Sequence, residues 1–420
     1  VAGRGLGVLL LLALMLAGCA RGSDSTPLAF VGRDGQIYTV AVNSGAPRRV
    51  SEISLPPPKD ARDISYQWPT WSADGQQLAY LRFHRDSSGT IGSAVIVSRA
   101  DGSGARVVFE TGPGRVSVTP FYLDWAPDGE TLALGAQRGP TVNVLLLDAT
   151  GSREARVVTA ASPVFYAWSP DSKALLVHPF GDARFNPQAE VALFHVEREW
   201  DDRFVLPARP VGFRAPVWSP DGKRAVVASS GDNQRAQVLV FDTATGAATR
   251  LLEVSDAPAF AWSPDGTHLG VAQRLDEASA FYQELDVISA SDGTRKQVAS
   301  GNIAAFFWSP DGTRLAYALF RGPDTPGVTW WVVDTTGEQR IELGSYVPDD
   351  ESFFVLMFFD QYAQSMSPWS PDGKYLAYSG FLPGEANDSG HVFVVPTDGS
   401  APARPVADGQ MAAWPAPRHR

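Results

Sequence analysis

Short apolar runs separated by small polar clusters fill most of this chain, and their order repeats with a long period. Each repeat reads the same way: apolar residues lead into Trp, a Ser-Pro-Asp-Gly tetrad follows, and a second apolar run comes directly after it. The copies are WSADGQQLAY (71–80), WAPDGETLAL (125–134), WSPDSKALLV (168–177), WSPDGKRAVV (218–227), WSPDGTHLGV (262–271), WSPDGTRLAY (308–317) and WSPDGKYLAY (369–378), with an echo in AAWPAP (412–417). A third run closes on an Asp/Thr/Gly turn, as in SAVIVSRADG (93–102) and QVLVFDTATG (237–246), and a fourth follows, as in ARVVFE (105–110). The runs are too short for helices, and runs such as LAYLRF (78–83) read as alternating strands. Pro presets φ for the first central turn position, Asp accepts bonds from the backbone ahead of it, and Gly takes the left-handed conformation that ends the turn.

Four antiparallel strands per repeat of 43 to 61 residues, measured between Trp71, Trp125, Trp168, Trp218, Trp262, Trp308, Trp369 and Trp414, predict an all-β propeller of four-stranded blades. Trp414 has no Asp-Gly and no following strand. The segment 28–51 (LAFVG, GQIYTVAV, RRVS) supplies three strands that lack a first one. The two ends together complete one blade and hide the strand edges that an open ring would expose. Seven internal blades plus this composite give eight; a seven-bladed ring is the alternative. Ala73, Ala126 and Ser172 break the tetrad, and Ser172 stands where φ should be positive.

These tetrads resemble the WD-like "PD" repeats of the TolB and prolyl-oligopeptidase propellers over residues 28–414. The resemblance implies the fold, and it spans partner-binding scaffolds, peptidase propeller domains and a few lyases. The six-bladed ring and extra N-terminal domain of TolB-like proteins are absent from this pattern.

Residues 1–18 carry Arg4 and a short apolar run, 6–16, which reads as an export signal because eleven residues cannot span about 30 Å of hydrocarbon. LAGC (16–19) resembles the bacterial lipobox, which implies a lipidated Cys19. Residues 19–27 then form a tether and 28–420 the propeller, held outside the cytoplasm, at the cell surface or in the periplasm. Cys19 is the only cysteine, so disulfides and cysteine-ligated metals are excluded. A net charge of −11 argues against nucleic acid as partner. The membrane is then reached through the lipid alone, by a monomer.

Candidate chemistry is sparse. His84, His178, His195, His268, His391 and His419 show no metal-ligand spacing, no nucleophile elbow or phosphate loop occurs, and the residues after Trp414 leave no room for a hydrolase domain. No cofactor, metal or catalytic residue is expected. The once-per-blade aspartates, Asp74, Asp128, Asp171, Asp221, Asp265, Asp311 and Asp372, and the repeat tryptophans are read as turn and packing residues. The longest interval, between Trp308 and Trp369, contains 344–368, GSYVPDDESFFVLMFFDQYAQSMSP. It sets Asp349, Asp350, Glu351 and Asp360 beside Phe353, Phe354, Phe358, Phe359 and Tyr362. Acids next to aromatics in a loop between blades suit a cationic or carbohydrate ligand, or an envelope protein or peptide, and mark the expected binding site. The segment is expected to extend the outer strand and cross to the next blade at the channel mouth. The function expected is a lipid-anchored binding scaffold, with a propeller-hosted hydrolase or lyase as the alternative.

Overall fold

The computed structural model describes residues 26–43, 45–112, 118–231, 235–275, 279–322, 324–363, 365–384 and 390–416; the expected export signal, Cys19 and most of the expected tether lie outside them. Among the described residues, four separate four-stranded sheets and one 13-stranded run account for the strands. Blade 2 is Arg62–Trp71, Gln77–Arg85, Ile91–Arg99 and Arg106–Thr111. Blade 3 is Thr119–Trp125, Thr131–Arg138, Thr141–Asp148 and Arg156–Ala161. Blade 4 is Val164–Trp168, Ala174–Pro179, Ala192–His195 and Phe204–Val205, and blade 5 is Val217–Trp218, Arg224–Ser230, Ala236–Asp242 and Ala248–Val254.

The 13-stranded run divides into the remaining blades because three strands serve two blades each: Arg340–Pro348 closes blade 7 against Val328–Asp334 and meets Tyr375–Phe381 of blade 8 through Val347 and Pro348, and two longer strands do the same elsewhere. Arg295–Trp308 pairs through its first half with Tyr282–Ser289, closing blade 6, and through its second half with Arg314–Phe320, opening blade 7. Arg404–Ala413 likewise closes blade 8 against His391–Pro396 and opens blade 1, where Ala413 faces Ala29 and Gly409 faces Gly32. The C-terminal strand is thus the innermost strand of a blade whose others are Pro27–Gly32, Ile37–Ala41 and Arg48–Arg49. This is the composite read from the two chain ends, and the pairings group into eight blades.

Each blade is packed between two others, so its strands are buried on both faces. In Gln77–Arg85, Leu78 and Tyr80 join Ala29, Val31 and Met411 on one side, while Ala79 and Leu81 join Leu123, Trp125 and Leu132 on the other. The expected alternation is therefore absent from LAYLRF, whose polar members appear only where the strand nears the rim.

The tetrads form the turns that their composition implies. In WSPDGTRLAY, the Ser309 hydroxyl donates to Asp311 Oδ1 at 2.6 Å and accepts from Arg314 N, Asp311 accepts from Thr313 N, and Gly312 sits at φ +71°. Ser172, in the copy that lacks this glycine, holds φ +63°, and its hydroxyl accepts from Asp128 N of the preceding blade's turn at 2.9 Å. The tryptophans tie successive blades. Trp71 Nε1 donates to Ala413 O, Trp125 to Thr70 O, Trp218 to Ala167 O, Trp308 to Ala261 O and Trp369 to Phe307 O, at 2.9–3.1 Å. Each acceptor belongs to the residue just before the previous blade's own tryptophan. The indoles of Trp168, Trp262 and Trp414 make no such bond.

Candidate functional site in the central channel

The interval between Trp308 and Trp369 does not cross as extended chain. After the outer strand Arg340–Pro348 it forms helix α1, Asp350–Met357, and helix α2, Phe359–Tyr362. Asp349 caps α1, its carboxylate accepting from Ser352 N at 2.7 Å, and Asp350 and Glu351 occupy the first turn, where carboxylates favour the N-terminal end of the helix dipole. The expectation of a strand and crossing is corrected: an Asp cap with two acids behind it starts a helix.

The helices enter the channel and meet the inner rim of every blade. The Gln361 amide lies against the free edge of blade 4, Oε1 accepting from Tyr166 N at 2.9 Å and Nε2 donating to Tyr166 O at 3.0 Å. It does there what a neighbouring strand's backbone would do. Asp360 Oδ2 accepts from Ala215 N, at the entry to blade 5, at 2.9 Å. Tyr362 stacks on Trp68 of blade 2 at 5.5 Å and meets Tyr122 of blade 3 edge-on at 4.7 Å. Phe359 packs on Tyr282 of blade 6 and on Phe306 and Phe307 of blade 7. The Ser352 hydroxyl bonds that of Ser379 in blade 8 at 2.8 Å, and Met366 clusters with Met411 of blade 1.

This placement divides the expected binding residues. Asp349, Phe359, Asp360 and Tyr362 are buried and hold the insertion in place, so they are not available to a partner. Glu351 and Phe358 are half-buried, whereas Asp350, Phe353 and Phe354 face solvent, the two phenylalanines at 43% and 42% exposure. Gln361, Trp68 and Tyr122 were not singled out by the sequence reading; their role depends on contacts across 195 or more residues for Gln361 and Tyr122, which no local pattern encodes.

Beside α2, blades 4 to 6 converge charged groups. Arg184 pairs with Asp182 at 2.7 Å and reaches Asp256 at 3.8 Å, and Arg274 pairs with Asp256 at 2.7 Å. Arg214 lies over the Tyr282 ring at 5.3 Å. Burial pushes the Asp360 carboxyl up while Arg214 holds it down, with the net shift upward. Both ring nitrogens of His178, which is 2% exposed, face carbonyls, of Arg214 at 2.6 Å and of Gly181 at 2.7 Å. A neutral ring has one N–H for two acceptors, yet burial holds its pKa below the usual histidine range. The space beside His178 and Arg214 is too narrow to admit a water molecule. Among the described residues no group of three or more His, Cys, Asp or Glu is placed to hold a metal ion. No helix among them is long and apolar enough to cross a membrane.

No family model matches the sequence, and no curated protein matches it. Solved structures do resemble it. The dihydro-heme d1 dehydrogenase NirN, in complex with DHE, is 15% identical with a TM-score of 0.56, over 93% of this chain and 74% of that one. A prolyl endopeptidase is 12% identical with a TM-score of 0.54, over 83% of this chain and 50% of that one. TolB from Acinetobacter baumannii is 18% identical with a TM-score of 0.37, over 65% of this chain and 63% of that one. The chain thus spans less than two thirds of the TolB and half of the endopeptidase. The class these findings define is the β-propeller fold, with a helical insertion in its channel.

Proposed function

We propose that this protein is a binding scaffold of the cell envelope, anchored through Cys19, that docks a protein partner on the face where its helical insertion emerges. The observation that carries this reading is the division of labour within α1–α2: one set of side chains seals the channel, and Phe353 and Phe354 are left exposed above it. Strand alternation puts the loops between second and third strands on this same face. Phe185 at 85% and Leu275 at 55% exposure lie in such loops, so apolar side chains gather at this end of the ring. A sealed channel also favours docking at the surface over chemistry within.

The test is a photo-crosslinking amino acid placed at 353 or 354, and at Thr150 in a turn on the opposite face, in the cell that makes the protein. A discrete adduct from the insertion face and none from Thr150 supports the reading. Equal labelling from both faces, or none, removes it. Cys19→Ser should release the protein from membranes, and fatty-acid label retained by the serine variant would remove the anchor.

The buried set of His178, Arg214, Asp256 and Asp360 supports a second reading, a hydrolase or lyase whose groups are uncovered when the insertion withdraws. Peptide or polysaccharide turnover that is abolished by His178→Gln in a folded variant would select it.

A further inference from the structure

Between α1 and blades 7, 8 and 1 lies an open-mouthed pocket of about 50 Å³. Its walls include Phe307, Trp330, Tyr346 and Tyr378, all buried. Among the described residues Glu351 is the single carboxylate in its lining, and no Lys, Arg or His lines it. The Trp330 indole N–H, 2% exposed, is directed at the Tyr346 hydroxyl, so the two rings are held together in the wall. Aromatic faces attract a cation, and a lone carboxylate repels anions and loses hydration to a neutral guest without return.

We propose that this pocket binds an alkylammonium group: an aliphatic stem against the aromatic walls, with its ammonium paired to Glu351. The group is carried either by a lysine side chain of the docked partner or by a free amine. The inference deepens the docking reading and rests on it only for the first of these sources.

The experiment titrates the full chain with n-pentylammonium, n-pentanol and pentanoate, following tryptophan fluorescence, and repeats this with N-acetyl-lysine methylamide. Pentylammonium should bind, with pentanol and pentanoate at least tenfold weaker, the loss expected for one charge-assisted contact. Competition by the lysine amide assigns the source to a partner's side chain; binding of the free amine alone assigns it to a small molecule. Glu351→Gln should weaken ammonium binding by about tenfold at an unchanged melting midpoint. Asp350→Asn, on the exposed side of the same turn, should leave it within about twofold, as a screened surface charge does. Binding of pentanol or pentanoate as tight as that of the amine, or indifference of the amine to Glu351→Gln, overturns the proposal. Crosslinking from 353 or 354 that persists after such a failure leaves the docking face standing and discards the pocket alone.

Discussion

At the scale of single residues, the position before each repeat tryptophan is the one whose carbonyl receives the next blade's indole. It is Thr70, Ala167, Ala261, Phe307 and Ala413 where the bond forms, and Asp124, Val217 and Pro368 where the next indoles, Trp168, Trp262 and Trp414, are unpaired. Burial raises the Asp124 carboxyl to about 7. The folded protein therefore holds this proton more tightly than the unfolded chain does, and stability falls as pH rises from about 4 to about 7. Asp124→Asn should raise the melting midpoint at pH 8, by about 2 kcal/mol of stability, and should change little at pH 4. Calorimetry of both proteins across this range checks the sign. Serine at 172 shows how a departure from the tetrad is tolerated: its strained φ comes with a hydrogen bond to Asp128 that glycine has no side chain to make.

At the scale of elements, the turns were legible because Ser, Asp and Gly bond within five residues of one another. The insertion was not. A surface helix would display a polar face every 3.6 residues, but FFVLMFF has none: Leu356 and Phe359 are buried in the channel, while Phe353 and Phe354 are apolar although exposed. Asp349 followed by Asp350 and Glu351 was the available signal, and it is the pattern of a helix start. Asp349→Ala should therefore cost about 1 kcal/mol, whereas Asp350→Asn should be nearly neutral, as chemical denaturation would show. Gln361→Ala strips both partners from the backbone of Tyr166 and should cost about 2 kcal/mol; a variant with unchanged stability would mean that water replaces the amide there.

At the scale of the whole molecule, counting strands at the two ends was enough to foresee how the ring shuts, since every strand pair in the scheme is antiparallel and only one blade lacked a member. The relation of the insertion to blades far from it in sequence was beyond any such count. Removal of residues 409–420 deletes the inner strand of blade 1 and the Ala413 acceptor of Trp71, and bares the edge of Pro27–Gly32. The truncated chain should lose several times the stability that an equally long surface loop contributes, and should aggregate through the open edge. Light scattering during thermal melts of both proteins would report it.

The composite blade has a mechanical consequence. Pro27–Gly32 is bonded on one side to Ile37–Ala41 and on the other to the C-terminal strand, and the chain enters it from the Cys19 side. With the protein held at that end, tension runs along the strand axis, so both ladders bear the load together in shear. The same force on the two-residue outer strand Arg48–Arg49 would peel its bonds one at a time. Under the anchoring and docking proposed above, traction from a partner would reach the ring along the direction in which its seam resists parting.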